Sequence, residues 1–158
     1  TVTSISQDSD GYLSRTNDVT KNNLKNWLST YKMLNDTIEI LDAVVVNFSV
    51  EFVIHVDKRF DSDAVLIECI SEVQKYFAEI SYIGEPIYLS RVYQVLNNVS
   101  GVVDTKNVII QNESGDTYAP NTLNFDDLMS KDGTFIKLPQ DTVAELKFPN
   151  LDIRGTVK

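Results

Sequence analysis

The sequence predicts an α+β protein in which helices cover one face of a small antiparallel or mixed sheet. The stretch from Ala43 to Val56 alternates between apolar even positions and mainly polar odd positions, the pattern of a strand with one buried face. Flanking segments repeat apolar side chains every three or four residues, which indicates amphipathic helices. The predicted order is a helix followed by a β-α-α-β core, with a β-rich C-terminal arm.

The first predicted helix runs from Val19 to about Leu34 with Asp18 as its N-cap. Its apolar positions form one stripe that should face a partner surface: Leu24, Trp27, Leu28, Tyr31 and Leu34. The second helix follows a cap at Asp61 or Ser62. Its predicted inward face consists of five apolar residues: Leu66, Ile70, Val73, Phe77 and Ile80.

The third predicted helix spans Ile87 to Asn98 and follows Pro86, since proline is favoured in a first helical turn. Gly101 stands where a left-handed C-terminal cap is expected. Its inward stripe should hold five residues: Leu89, Val92, Tyr93, Leu96 and Val99. A strand is predicted next, over Val102 to Gln111.

The segment 112–158 predicts an extended arm, beginning with a passage rich in Asn, Asp, Gly and Pro. We expect residues 134–138 and 142–148 to pair as a hairpin across Pro139 to Asp141. Residues 151–158 have too little apolar content to fold alone, so they either add a strand to a sheet edge or dock on another chain.

The predicted organisation is a linker or the end of a preceding domain at 1–18, an α+β core module at 19–111 and the arm at 112–158. Thr1 stands where a complete chain would begin with Met, so we expect a longer chain to have been cut. Four residues near the end are the expected contact residues of the arm: Phe148, Leu151, Ile153 and Arg154.

Composition disfavours several classes of partner. The net charge of −9 repels phosphate backbones and anionic lipid surfaces, so no nucleic-acid or membrane partner is expected. The most apolar stretch, Leu41 to Val56, contains too many polar residues for a membrane-spanning helix. A single cysteine permits no intrachain disulfide, which favours a reducing compartment and synthesis in the cytosol.

Few residues suggest catalysis, and we predict no catalytic, cofactor or metal site and no small-molecule substrate. His55 is the only histidine and falls on the polar face of the long strand, where a solvent-facing or cross-strand role is expected. Cys69 should be buried and inert. Phosphate-binding and nucleophile-elbow motifs do not occur in the sequence.

Helix capping explains the cluster of Asp57, Asp61 and Asp63 better than cation binding does. A similar cluster at Asn124, Asp126 and Asp127 has no further ligands at a recognisable spacing, so no cation site is expected there. Aromatic side chains between Tyr76 and Tyr93 stand at helical spacing and are assigned to the core. Two other functions stay open. A carboxylate-based glycan-degrading domain needs two facing carboxyl groups in a groove, and a receptor-binding module should expose aromatic residues at loop tips.

Four runs carry a resemblance to a known family. They are LKNWLSTYKMLNDTIEILDA (24–43), VVVNFSVEFVIHV (44–56), IGEPIYLSRVYQVLNNVSGVVD (83–104) and LPQDTVAELKFPNLDIRGTV (138–157). Together they resemble the C-terminal region of the baseplate J-like family, in particular baseplate wedge proteins of contractile-tailed, T-even-type phages. The resemblance implies a non-enzymatic virion protein of the tail baseplate, assembled in the host cytoplasm. It also implies homodimer contacts and binding to other wedge subunits in the inner baseplate ring.

Overall fold

A computed structural model describes residues 1–79 and 81–158, and within them the chain has the predicted α+β architecture. The helices are α1 Asp18–Ser29, α2 Ser62–Phe77, α3 Leu89–Asn97, α4 Phe125–Leu128 and α5 Pro149–Asp152. The strands are β1 Val2–Ser4, β2 Ser6–Gln7, β3 Leu13–Ser14, β4 Ile40–Asp42, β5 Val44–Val56, β6 Ile87–Tyr88, β7 Val102–Glu113, β8 Phe135–Ile136, β9 Thr142–Glu145 and β10 Ile153–Val157.

The long predicted strand is confirmed as β5, the centre of a mixed sheet. One edge of β5 pairs antiparallel with β7 along most of its length. The opposite edge pairs in parallel first with β9 and then with β10. The register between β5 and β7 shifts after Val53 and again after His55, so the strand is bulged, as its length suggested.

Helices α2 and α3 cover the apolar face of the main sheet, with α2 beside β10 and α3 beside β7. The even positions of β5 from Val46 to Val56 are buried in the core beneath them. In α2 the buried row is Val65, Cys69 and Val73. Of the predicted row, Val73 is buried, whereas Leu66, Ile70 and Phe77 are half-buried and pack against the edge of the core. An apolar stripe of this width contains both rows, and periodicity does not decide which one faces the sheet. The predicted fifth member, Ile80, lies outside the described residues.

Three predicted helix boundaries are wrong. The α1 N-cap is Asn17, whose side-chain oxygen accepts a hydrogen bond from the Val19 N–H at 2.8 Å, and α1 ends at Ser29 rather than Leu34. Helix α3 begins at Leu89, because Ile87–Tyr88 pair with β8 instead of continuing a helix from Pro86. The left-handed glycine is confirmed, since Gly101 has φ of +96°.

The predicted hairpin between residues 134–138 and 142–148 is also wrong. Strand β8 pairs with β6, and β9 pairs with β5. Local alternation and turn residues identify short strands but not their partners, and β5 offers β9 an edge where Val143 and Ala144 become buried. Of the two alternatives for the last residues, the structure shows the addition of a strand to a sheet edge, since they form β10 on β5. Of the three strands in the predicted arm, β9 and β10 therefore lie in the main sheet, whereas β8 forms a separate small sheet with β6.

The polar N-terminal stretch, predicted as a linker or the end of a preceding domain, contains three short strands. Strand β1 pairs in parallel with β4, and β2 forms a small hairpin with β3. Backbone pairing of this kind needs no apolar periodicity, so the composition did not reveal it. Among the described residues, no helix is both long and apolar enough to cross a membrane.

The close packing of β10 on β5 yields a stability prediction. A Cβ added at Gly155 would lie 2.5 Å from a ring carbon of Phe52 and 2.5 Å from a methyl carbon of Leu66. Gly155→Ala should therefore lower the free energy of unfolding by about 1–3 kcal/mol in a urea titration, since overpacked side chains must shift. Thr156→Ala, at the exposed neighbouring position, is the control. Equal stability of the two variants would contradict this packing.

Candidate interaction surfaces

Helix α1 and the turn after it expose a group of large apolar side chains. Trp27 is 59% exposed, Tyr31 is 72% exposed, and Met33 and Leu34 are also exposed. The Trp27 and Tyr31 rings lie 5.1 Å apart between centroids. We call these four residues the helix-1 surface. The whole of α1 lies within the described residues, and none of its side chains is buried.

Ion pairs hold α1 against β4. The Asp42 carboxylate lies 2.6 Å from the Lys21 ammonium and 2.6 Å from the Arg15 guanidinium. The hydrogen bond from Lys21 is the main reason that the pKa of Asp42 is lowered, and Arg15 lowers it further. On one side of this attachment, a cleft of about 700 Å³ is lined by α1, including Asn22, and by the segment that leads into β4, including Glu39. These ion pairs attach the helix, which contributes no fully buried side chain to the core, although Leu24 and Leu28 of its predicted stripe are half-buried.

The four residues predicted as contact residues of the arm lie in different environments. Ile153 is 4% exposed and belongs to the hydrophobic core, while Phe148 is half-buried. Arg154 is exposed, and its guanidinium donates to the Glu51 carboxylate at 3.2 Å. Leu151 is exposed on α5. Leu151 and Arg154 are adjacent on the surface, since the Arg154 guanidinium also donates to the Leu151 main-chain oxygen at 3.3 Å, whereas Ile153 belongs to the core.

The arm instead covers the polar face of β5, where Asn47 and Ser49 are fully buried. The Asn47 side-chain oxygen accepts from the Ala119 N–H at 2.6 Å, and its amide donates to the Glu145 carboxylate at 3.0 Å. The Ser49 hydroxyl donates to the Glu113 carboxylate at 2.7 Å. These odd positions were predicted to face solvent, and hydrogen bonds to the arm explain their burial.

A buried carboxylate secures the end of the arm. Asp152 accepts from the Tyr118 hydroxyl at 2.6 Å and from the Phe148 N–H at 3.0 Å. The hydrogen bond to Asp152 is the main reason that the pKa of Tyr118 is raised to about 12. The Phe148 ring also packs edge-on against the rings of Tyr12 and Tyr118. Phe148 therefore joins the arm to the N-terminal segment of the same chain.

An open groove of about 130 Å³ lies between the end of α2 and β6. We call it the aromatic groove. Its lining includes four aromatic and two acidic residues: Tyr76, Phe77, Tyr82, Tyr88, Glu79 and Glu85. Tyr82 is 71% exposed, and its N–H donates to the Glu85 carboxylate at 3.1 Å. Burial is the main reason that the pKa of Tyr76 is raised.

Sequence reasoning did not predict this groove, because it assigned Tyr76, Phe77 and Tyr88 to the core. Phe77 does pack on the core, with its ring 5.2 Å from that of Phe48. Tyr88 is partly exposed instead. The density of aromatic residues was the available signal. The number of aromatic residues does not predict a groove, because the groove forms only where the turn at residues 81–86 brings the chain back beside α2.

The residues considered as candidates for catalysis or metal binding are hydrogen-bonded, buried or used as helix caps. The His55 Nδ1 lies 2.7 Å from the main-chain oxygen of Lys158. Cys69 is buried as predicted, and burial raises its thiol pKa to about 11. Asp61 caps α2, as the capping interpretation predicted, and the structure also shows Asn124 as the cap of α4. In the described part of the chain, no three acidic, histidine or cysteine side chains cluster as metal ligands would.

Comparison with known proteins gives no assignment: no family model matches this chain, and neither does any curated protein.

The attachment of α1 predicts a response to acid that Trp27, the only tryptophan, can report. The Asp42 pKa is below its usual 3.8, so its ion pairs stabilise the attachment above pH 3.8 and are lost as pH falls through the lowered value. We expect the fluorescence anisotropy of Trp27 to fall over that range. Far-UV circular dichroism should report whether the core stays folded.

Asp42→Asn is the matched control for this titration. It should give low anisotropy already at pH 7, with no further step on acidification. An identical acid transition in both proteins would contradict the role of Asp42.

The buried carboxylate predicts a second stability effect. Tyr118→Phe removes the 2.6 Å hydrogen bond to Asp152 while keeping the ring, so a buried acceptor loses one partner. The expected loss is about 1–3 kcal/mol of unfolding free energy, measured by urea denaturation at pH 7. Tyr31→Phe, on the exposed helix-1 surface, should change stability very little. A Tyr118→Phe protein as stable as that control would show that the bond contributes nothing.

Proposed function

We propose that this chain is a structural, non-enzymatic component of a phage tail baseplate wedge, which self-associates and binds other wedge subunits in the inner baseplate ring. The proposal rests on the resemblance of the four runs to the baseplate J-like family. The observation that carries it is the helix-1 surface, which lies within the first of those runs, at residues 24–43.

Physical reasoning links this surface to assembly. Contiguous exposed apolar side chains are costly in water and commonly mark sites of protein contact. Tryptophan and tyrosine contribute large contact areas and are enriched among the residues that dominate binding energy. Trp27 and Tyr31 already lie side by side, with ring centroids 5.1 Å apart. Burial of this pair by a partner would stabilise a complex at little conformational cost.

We therefore place the proposed self-association contact on α1 rather than on the arm. Of the four expected arm residues, Ile153 is used inside the sheet, and Arg154 already pairs with Glu51. Leu151 alone is a large exposed apolar side chain among them, and it offers a smaller surface than α1 does. A deletion of residues 149–158 could not test whether the arm forms the contact, because it would also remove β10 from the sheet and disturb the fold.

The two alternative functions have partial support in the aromatic groove. Glu79 and Glu85 both line it, as a carboxylate-based glycan-degrading site would require. Both side chains are exposed, whereas an acid catalyst needs an environment that raises its pKa. Tyr82 is an exposed aromatic residue in a turn, which a receptor-binding module would also display. Neither alternative accounts for the exposed apolar side chains of the helix-1 surface.

A charge placed on the helix-1 surface should test the proposal. Leu34→Asp should weaken self-association about tenfold or more, because a carboxylate would have to be buried at the contact. Ile67→Asp makes the same change at an exposed position of α2 and is the control. Light scattering after size-exclusion chromatography, over a range of concentrations, measures the association.

We expect the wild-type protein and Ile67→Asp to associate and Leu34→Asp to remain monomeric. A wild-type protein that stays monomeric at the highest concentrations would refute self-association. Equal association of all three proteins would refute the assignment of the contact to α1. Urea denaturation of each variant identifies any loss that arises from unfolding.

A further inference from the structure

We infer that residues 1–43 open and close as one unit about the Ala43–Val44 junction, and that the contact of Tyr12 with the arm latches this unit closed. The unit contains β1 to β4 and α1, and we call it the N-terminal unit. The remaining residues, 44–158, contain the main sheet and are called the sheet module. The latch lies within one copy of the chain and does not depend on the proposed self-association.

The N-terminal unit takes no part in the hydrophobic core. All of its residues are described, and none of its apolar side chains belongs to the core or packs against it. Its one buried residue, Thr16, is polar, and the Thr16 hydroxyl accepts from the Ser6 hydroxyl of the same unit at 3.2 Å. Units that share no apolar core are expected to move relative to one another, since a large apolar interface is what would fix them.

Backbone hydrogen bonds change partner between two consecutive residues at the junction. The Ala43 N–H donates to the Ser4 carbonyl at 2.9 Å, inside the N-terminal unit. The Val44 N–H donates to the Asp141 carbonyl at 2.8 Å, inside the sheet module. The ion pairs that attach α1 to β4 also stay inside the N-terminal unit. Rotation of the backbone between these two residues therefore breaks none of these bonds, which is the property of a hinge.

The latch lies in the β2–β3 hairpin. Among the described residues, one hydrogen bond joins the two parts, from the Leu13 N–H to the Glu145 carboxylate at 2.7 Å. The Tyr12 ring packs edge-on against the Phe148 ring, with centroids 5.8 Å apart. The Lys147 ammonium lies 5.4 Å from the centre of the Tyr12 ring, within the range of a cation–π attraction. Contacts this few can open without unfolding either part.

Opening of the latch would change two surfaces at once. It would uncover the Phe148 ring and the Glu145 carboxylate on the side that the hairpin contacts in the closed form. It would also turn the helix-1 surface relative to the main sheet, because α1 belongs to the N-terminal unit. In the proposed assembly, which this last consequence presupposes, a neighbour bound to α1 would keep its contact while the sheet module turns.

Distances between paired spin labels test the latch. One pair joins the two parts through Val19→Cys on α1 and Ile67→Cys on α2, both at exposed positions. A control pair lies within the sheet module, at Ile67→Cys and Val103→Cys, and Val103 is also exposed. Cys69→Ala removes the buried native thiol from every protein. Labelled protein is diluted with unlabelled Cys69→Ala protein, so that distances between copies do not contribute.

Tyr12→Ala should raise the open population about fivefold or more, because it removes the ring that contacts Phe148 and Lys147. The pair between the two parts should then gain a second, broad range of distances, while the control pair keeps its wild-type distance. Tyr12→Phe retains the ring and is the matched control, so it should give the wild-type distances for both pairs.

Three results would overturn the latch. Unchanged distances in Tyr12→Ala would show that this contact does not hold the unit closed. A broad range of distances already present in the wild-type protein would show that the unit is not held at all. Broadening of the control pair in Tyr12→Ala would show that the sheet module needs the N-terminal unit for its own fold, so the two are not separate. A failure of the proposed self-association would leave all of these distances unchanged.

Discussion

The structure depends on the pairing of β5 along both of its edges. Strand β7 occupies one edge, and β9 and β10 share the other. Because the second edge is taken by the last part of the chain, the core is complete only when residues 142–157 have joined it. The same strand is covered on both faces over its first half, by the helices on one side and by the arm at Asn47 and Ser49 on the other.

Sequence reasoning succeeded where a pattern is local and strong. The alternation of β5, the span of β7, the cap at Asp61 and the left-handed Gly101 each follow from a few consecutive residues, and all are confirmed. It failed where a decision depends on distant partners. The local pattern of Thr142–Glu145 predicts one strand of a hairpin, yet this segment pairs in parallel with β5. Nothing in a short window encodes that choice.

The burial of polar residues on β5 could not be predicted either, because it also depends on partners that are distant in the sequence. The alternating polar positions of β5 indicated a solvent-facing side, and Glu51 and His55 do keep partial or full exposure. Asn47 and Ser49 are buried because a segment more than 60 residues later supplies donors and acceptors for them. Polar side chains permit such a cover as readily as they permit solvent, provided that each hydrogen-bonding group finds a partner. Alternation alone does not distinguish the two.

The contrast between α1 and the arm explains why the candidate contact surface could be only half predicted. Residues 151–158 were predicted to have too little apolar content to fold alone, and the apolar stripe of α1 was predicted to face a partner surface. The arm is held because β5 pairs with its strands, hydrogen bonds satisfy its polar groups, and apolar side chains such as Ile136, Val143 and Ile153 are buried in the core. Helix α1 has no comparable backbone partner, and its main link to the sheet region is the ion pairing of Asp42. Its aromatic residues therefore stay exposed, which is why the surface available to another chain lies there.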